Sequence, residues 1–414
     1  MPDQRPQKPQ QTPITAGFMP LLDAALLIVA HEKGFCESRG IALKLVRETS
    51  WATLRDRMTV GHFDVAHMLA PMPIAAALGS GPMYAPMIVP MALGLGGNAV
   101  TVSNALFHEM CDYGAVDSGD AKLNGLALAK ALAGRAAAGR KKSTIGIVHR
   151  FSSHNFELRY WLQASGIVPD RDIDLTVVPP PFMADALAAG HIDGFCVGEP
   201  WNSVAVERGV GNIVTTKSSI WRSSPDKVLA VGQQWAEQNR QALAALMQAL
   251  VEAAIWCGNG ANIEQLASIL SAPGYLDQPA AILRRGLSGE MPFRRGGPIQ
   301  KVPDFLIYDG RAATFPWVSH ALWYYTQMVR WKLFTHSNKA IAAARQCYRP
   351  DIYRAALAGS GIAIPSVSMK VEGALSEPTI VSDGEFRLTL GPDGFFDGQK
   401  FDPDLIEDYI FAHK

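Results

Sequence analysis

The sequence predicts an α/β protein made of two α/β units with a cleft between them. Three observations carry this. Short apolar runs alternate with helical patterns across residues 14–93, and the same grammar restarts near residue 123 and runs to 216. Several strands also end in polar or glycine-bearing turns. The clearest is "HIDGFCVGEPWNSV" (residues 191–204), where an apolar run stops at Gly-Glu-Pro-Trp. A strand that ends this way delivers its last residues to a cleft, because sites in open α/β sheets lie at the carboxyl ends of strands.

Taken in order, "ITAGFM" reads as a strand and "DAALLIVAHEKGF" as a helix closed near Gly34. "IALKLVRE" alternates as a strand should. "SWATLRDRMTVG" is a helix capped by Ser50 and stopped at Gly61. "FDVAHMLA" is a third strand, "MPIAAALGSG" a short helix with Pro73 in its first turn, and "MYAPMIVPMAL" a strand covered on both faces. In the second unit "KLNGLALAKALAGRAAAG" is a helix and "STIGIVH" a strand. "SSHNFELRYWLQASG" is a helix capped by Ser152 or Ser153. "IDLTVVPP", "DGFCVG" and "GNIVTT" are strands, separated by the helices "PFMADALAAGHI" and "PWNSVAVERG". Such alternation calls for mostly parallel sheets. Residues 235–270 continue as helix, "HALWYYTQMVRW" reads as an amphipathic helix or part of a partner interface, and the last fifty residues as a hairpin and a short terminal helix.

The 414 residues fit two or three domains at about 150 residues each. Lysine plus arginine and aspartate plus glutamate are 38 each, so the chain is formally neutral. That leaves no electrostatic case for direct nucleic-acid or membrane binding. The basic stretch "GRAAAGRKKS" reads as the solvated end of a helix. The five cysteines are odd in number, far apart and without a CxxC. They read as free thiols in a reducing compartment rather than a disulfide framework or zinc site. Asp23 interrupts the apolar run "PLLDAALLIVA", so it does not read as an export signal, and no apolar run of about 18 residues suggests a membrane span. The expected location is the cytoplasm. No Walker, dinucleotide, HExxH, GxSxG or kinase motif is present, and no paired acid and base stand out. A non-enzymatic protein without metal or cofactor is expected.

Five blocks together carry a resemblance: "GFMPLLDAALLIVAHEKGF", "SWATLRD", "DVAHMLAPMP", "FSSHNFELRYWL" and "FCVGEPWN". They resemble the nitrate- and bicarbonate-binding family of solute receptors, and "IWRSSPDKVLAV" is similar to its Trp-x-x-x-Pro-x-Lys segment. The resemblance implies a two-lobed type II periplasmic-binding-protein-like fold with a ligand cleft between the lobes. The expected division is a disordered leader at 1–13, lobe I from 14–102 and 216–340, lobe II from 103–215, and a C-terminal segment, 341–414, packed on the body. Without an export leader, the chain resembles the cytoplasmic nitrate/nitrite sensors of the NasS type. In that branch the anion controls a NasT-like ANTAR-domain RNA-binding antiterminator of nitrate assimilation. The alternative in the same fold is a substrate-binding receptor of an ABC transporter for nitrate or bicarbonate. An enzyme resembling the thiamine pyrimidine synthases is the third reading, although their "CCCFC" segment is absent.

Carried over by position, the family's site falls on Trp51, Asn98, His154, Gly198 and Lys227. Asn98 stands where nitrate receptors carry a glutamine. The chemistry suits a planar monoanion. Lys227 supplies a compact positive charge, His154 and Asn98 supply N–H donors, Trp51 an indole N–H and a flat wall, and Gly198 a bare backbone. Four of the five have a plainer reading: core packing for Trp51, a helix cap for His154, a turn for Asn98, a solvated side chain for Lys227. His67 reads equally as a satisfied core histidine and a site residue. Glu199 would repel an anion, so it is expected to turn away or pair with an arginine.

Overall fold

The computed structural model describes residues 11–81, 85–381 and 387–413. Of the expected leader, residues 1–10 lie outside the described residues, and Thr12 and Pro13 already belong to the first strand. The first series is β1 (Thr12–Phe18), α1 (Ala25–Glu32), β2 (Ile41–Arg47), α2 (Trp51–Thr59), β3 (Val65–Leu69), α3 (Pro71–Ala77) and β4 (Met87–Ala92). After a short β5 (Leu95–Gly96), the second series begins with β6 (Asn98–Ser103), α4 (Asn104–Cys111) and α5 (Ala121–Ala137). It continues through β7 (Ser143–Ile147), α6 (Ser153–Ala164), β8 (Ile173–Val177), α7 (Met183–Ala188), β9 (Gly194–Gly198), α8 (Trp201–Glu207) and β10 (Gly211–Thr216). A single turn of helix, α9 (Lys217–Ile220), and β11 (Lys227–Gly232) lead the chain back to the first series.

Apart from β5, these strands form two five-stranded sheets, ordered β2-β1-β3-β11-β4 and β10-β6-β9-β7-β8. The expectation of mostly parallel sheets is corrected to mixed ones. β1 lies parallel to β2 and β3, and β7 parallel to β8 and β9. The two strands that bring the chain across between the sheets, β6 and β11, insert antiparallel to both neighbours. A crossing strand enters from the facing lobe, and so runs against the strands that start on the far side. The first crossing comes just before Asn98, ahead of the expected boundary at 102, because β6 already pairs in the second sheet.

Local sequence explains the helix starts. Ser50 accepts from the Thr53 N–H at 3.1 Å, and Ser152 from the Asn155 N–H at 3.0 Å, so both caps hold their helices' first turns. Apolar α1 is buried from Ala25 through Ala30, as a helix apolar all round must be.

The helix expected over 235–270 is three: α10 (Gln233–Gln238), α11 (Arg240–Gly258) and α12 (Ile263–Leu270). Asn239 leaves helical geometry, and its Nδ2 donates back to the Trp235 carbonyl at 2.9 Å, ending α10 where the apolar periodicity ran on. Contrary to the sequence reading, α11 has the length and composition of a membrane span, but half of that window is buried inside the protein. α13 (Ala280–Ser288) packs on α8 and α12.

The aromatic run forms α14 (Val318–Arg330), the amphipathic helix the pattern suggests, but without a wet face: Val318 through Met328 are all buried. It packs against α3, α6, α15 (Asn338–Cys347) and, beyond α16 (Pro350–Leu357), α17 (Ile406–Ala412). That packing takes these residues out of reach of a partner. The C-terminal hairpin pairs Thr379–Ile380 with Thr389–Leu390, and part of it (382–386) lies outside the described residues. The segment docks by stacking Phe395 on Trp221, with ring centroids 4.6 Å apart.

Candidate functional site

Both sheets aim their strand ends at one place. From the first come Asp23, in the turn after β1, Trp51, which opens α2, and Lys227, which starts β11 opposite Leu69 at the end of β3. From the second come Asn98 and Gly198, register partners at the adjoining ends of β6 and β9, and His154 in the first turn of α6. The lobes also meet through the backbone. The Leu22 N–H donates to the Glu199 carbonyl at 2.9 Å, and Trp201 Nε1 to the Pro20 carbonyl at 3.2 Å.

The five sequence-predicted residues form one connected cluster. His154 Nε2 lies 3.0 Å from Asn98 Oδ1. Lys227 Nζ stands 5.6 Å from the centre of the Trp51 ring, a cation–π distance. Trp51, Asn98, His154 and Lys227 are each only 1% exposed. Gly198 fills the gap between the halves. A Cβ there would meet Asn98 Oδ1 at 3.1 Å, Leu21 Cδ2 at 3.3 Å and Asp23 Oδ2 at 3.5 Å. Gly198→Ala is therefore expected to push the Asn98 amide out of place. Overpacking of about 1 kcal/mol or more corresponds to a fivefold or larger loss of anion affinity by calorimetry. Unchanged affinity would mean that the amide can give way freely.

Sequence reasoning missed the acids and the second lysine. Asp23 Oδ2 lies 2.8 Å from Lys227 Nζ, and its Oδ1 lies 2.8 Å from His67 Nε2. The Met19 N–H donates to His67 Nδ1 at 3.3 Å, so Nδ1 carries no proton, while Nε2 and Asp23 Oδ1 lie close without forming an aligned hydrogen bond. The His67 ring packs 5.5 Å from that of Trp51. Asp226 bonds both Lys227 and Ser153. Lys217 lies 3.1 Å from Glu157 and 3.4 Å from Asp226, and Tyr324 OH closes the cluster on the Pro225 carbonyl at 2.7 Å. One signal was visible: a lone carboxylate at position 23 breaking an apolar run must be buried with a partner.

Burial and charge set the protonation states. Burial would raise Asp226, but the Lys217 and Lys227 ammoniums outweigh it and hold the carboxyl well below its usual range. Burial would lower Lys227, but Asp226 and Asp23 more than offset it and keep the ammonium charged. Burial, followed by Lys227, holds His154 well below the usual histidine range. Burial pushes Glu157 up to about 8 against the pull of Lys217. Glu199 turns away from the cluster: the Ser203 N–H donates to its Oε2 at 3.2 Å, and burial raises it to about 7. Arg285, whose charge pulls the other way on Glu199, bonds Glu207. Cys196 is a buried thiol pushed up by desolvation, an inert core residue. Three buried nitrogens among the predicted residues have no hydrogen-bond partner: Trp51 Nε1, Asn98 Nδ2 and His154 Nδ1. The Trp51 and Asn98 nitrogens carry hydrogens, and donors left unpaired beside a buried ammonium are what a small anion would satisfy; the His154 N–H is engaged with Asn98 Oδ1, so its Nδ1 holds a lone pair.

Two α/β lobes latched over a closed polar cluster define a two-lobed binding protein of the periplasmic-binding-protein fold. Residues 7–271 match the NMT1-like family, and the chain belongs to that family. The nitrate/nitrite binding protein NrtA of Nostoc sp. is 31% identical over 98% of this chain and 87% of its own length. The bicarbonate-binding protein CmpA of Synechococcus sp. is 28% identical over 97% of this chain and 86% of its own. The crystal structure of the periplasmic nitrate-binding protein NrtA from Synechocystis PCC 6803 superposes with a TM-score of 0.83 at 27% identity. That match covers 99% of this chain and 100% of that one. The alkanesulfonate-binding protein SsuA from Xanthomonas axonopodis pv. citri, at 15% identity and a TM-score of 0.57, shares the fold alone.

Proposed function

We propose that this chain is a receptor for nitrate or nitrite that delivers its anion to an ABC transporter. The observation that carries this is the pair of buried, unpartnered donors, Trp51 Nε1 and Asn98 Nδ2, beside the Lys227 ammonium. A planar monoanion offers acceptors to such donors and lies flat against an indole. The likeness to nitrate-binding relatives over nearly the whole chain supports the same reading. Lys227 favours nitrate over bicarbonate held with a metal, since its ammonium already occupies the space between the Asp23 and Asp226 carboxylates.

The test is calorimetry of ligand-free protein with nitrate, then nitrite, chloride, and bicarbonate with and without calcium. Saturable nitrate or nitrite binding with little heat from bicarbonate is expected. Binding of bicarbonate alone, or of none of these, would sink the proposal.

A second reading is a cytoplasmic nitrate/nitrite sensor that controls an ANTAR-domain antiterminator. One observation favours it: all five cysteines are free, as suits a reducing compartment. A pull-down with such an antiterminator separates the readings. A complex that nitrate dissolves selects the sensor, whereas nitrate-stimulated ATP hydrolysis with a reconstituted permease selects transport.

A further inference from the structure

We infer that the cleft takes up its anion together with one proton, which lodges on His154 Nδ1. The inference rests on the anion-binding reading above and concerns how a closed, buried site stays neutral. The Lys217 and Lys227 ammoniums stand against the Asp23 and Asp226 carboxylates, all within a few per cent of full burial. Burial pushes Glu157 up to about 8, which favours its uncharged form beside Lys217 at neutral pH. His67 adds none, because its Nδ1 accepts from the Met19 N–H. The unliganded cluster therefore sums to zero.

A monoanion entering this cluster brings one uncompensated charge, and an unpaired buried charge is among the costliest things a protein interior can hold. His154 is placed to cancel it. Its Nε2 donates to Asn98 Oδ1, which leaves Nδ1 bare and without a partner. Trp51 Nε1 and Asn98 Nδ2 already bear hydrogens for an anion. Nδ1 alone offers a lone pair, which repels one. A single proton there turns the repelling atom into a donor and restores neutrality.

Among the described residues, the charges acting on His154 come from three, and the other elements packed on α6, namely β9, α5 and α14, add only the Cys196 thiol and the Tyr324 hydroxyl near Glu157. Lys227 and Asp226 act from β11 and its approach, and Lys217 from α9. Asn98 comes from β6, and Glu157 lies one turn along α6 itself. Lys227 opposes the proton until the anion arrives between them, so protonation and binding go together. The balance is simple: anion plus proton plus neutral site gives a neutral complex, with no other reactant.

The experiment is calorimetric titration of the full chain with sodium nitrate near neutral pH, repeated in buffers of different ionisation enthalpy. The observed heat should vary linearly with buffer ionisation enthalpy, with a slope of about one proton taken up per nitrate. Because binding consumes a proton, affinity should fall as pH rises, by about tenfold per unit between the His154 value in the free protein and its value in the complex. His154→Gln keeps an amide N–H and should bind more weakly, with no buffer dependence and a flat pH profile. Tight nitrate binding by the unaltered protein with zero slope would overturn the inference and leave the receptor reading standing. No heat in any buffer would overturn both.

Discussion

Lys227→Glu abolishes nitrate binding and destabilises the fold; this is the largest effect expected of any single substitution here. Lys227 is 1% exposed and holds two carboxylates, with Asp23 Oδ2 at 2.8 Å and Asp226 in direct contact. Replacing the ammonium by a carboxylate places three acids together where an anion should sit. Removing one partner of a buried ion pair costs about 3–5 kcal/mol, because the remaining charge is stranded. A fall in melting temperature on the order of 10 °C follows. Loss of fold could mimic loss of a ligand contact, so a compensated variant is informative. Lys227→Met with Asp23→Asn removes one charge of each sign and leaves Asp226 with Lys217. It should recover much of the thermal stability and none of the affinity. Wild-type nitrate affinity in either protein, by calorimetry, would remove Lys227 from the site.

The second large effect is at Trp51. Its indole is buried against the His67 ring and under the Lys227 ammonium. Trp51→Ala opens a cavity worth about 3–5 kcal/mol of stability. It also removes both the flat wall and the Nε1 donor, so binding should become undetectable. Trp51→Phe isolates the donor, because it keeps most of the wall. Hydrogen bonds to charged groups contribute about 1.5–3 kcal/mol, so nitrate affinity should drop roughly 10- to 150-fold with little change in melting temperature. Phe at near wild-type affinity would show that Nε1 points away from the anion, and that Trp51 serves as packing alone.

The two variants differ in what they probe. Lys227 acts by charge, so added salt should weaken the contrast only slightly, because buried pairs are poorly screened. Trp51 acts by shape and one N–H, so nitrite, with one oxygen fewer, should lose less than nitrate does in Trp51→Phe. Equal losses for both anions would place Nε1 on an oxygen that the two ligands share.

Much of the fold can be read from local pattern. The caps at Ser50 and Ser152 lie where a hydroxyl precedes an amphipathic run, and the strand ends are marked by glycine and proline. Periodicity could not show the break at Asn239, since the apolar residues continue in phase on both sides of it. Nor could it tell a one-faced helix from α14, which neighbours surround. Amphipathic reading assumes one wet face, and the aromatic residues of α14 find partners on every side.

The site divides in the same way. Position within elements, together with family resemblance, marks Trp51, Asn98, His154, Gly198 and Lys227, because helix starts and strand ends are local features. Sequence alone determines that these residues stand at the edges of elements and that Asp23 is a charge inside an apolar run. Tertiary structure alone decides that Asp23 meets Lys227, 204 positions away, and that Asn98 pairs with Gly198. It likewise turns Glu199 towards Ser203 and sets Glu157 behind Lys217. The reason is physical. Secondary structure follows from interactions a few residues apart, whereas the charge of a buried site is settled by which groups share the low-dielectric interior once both lobes have closed over it.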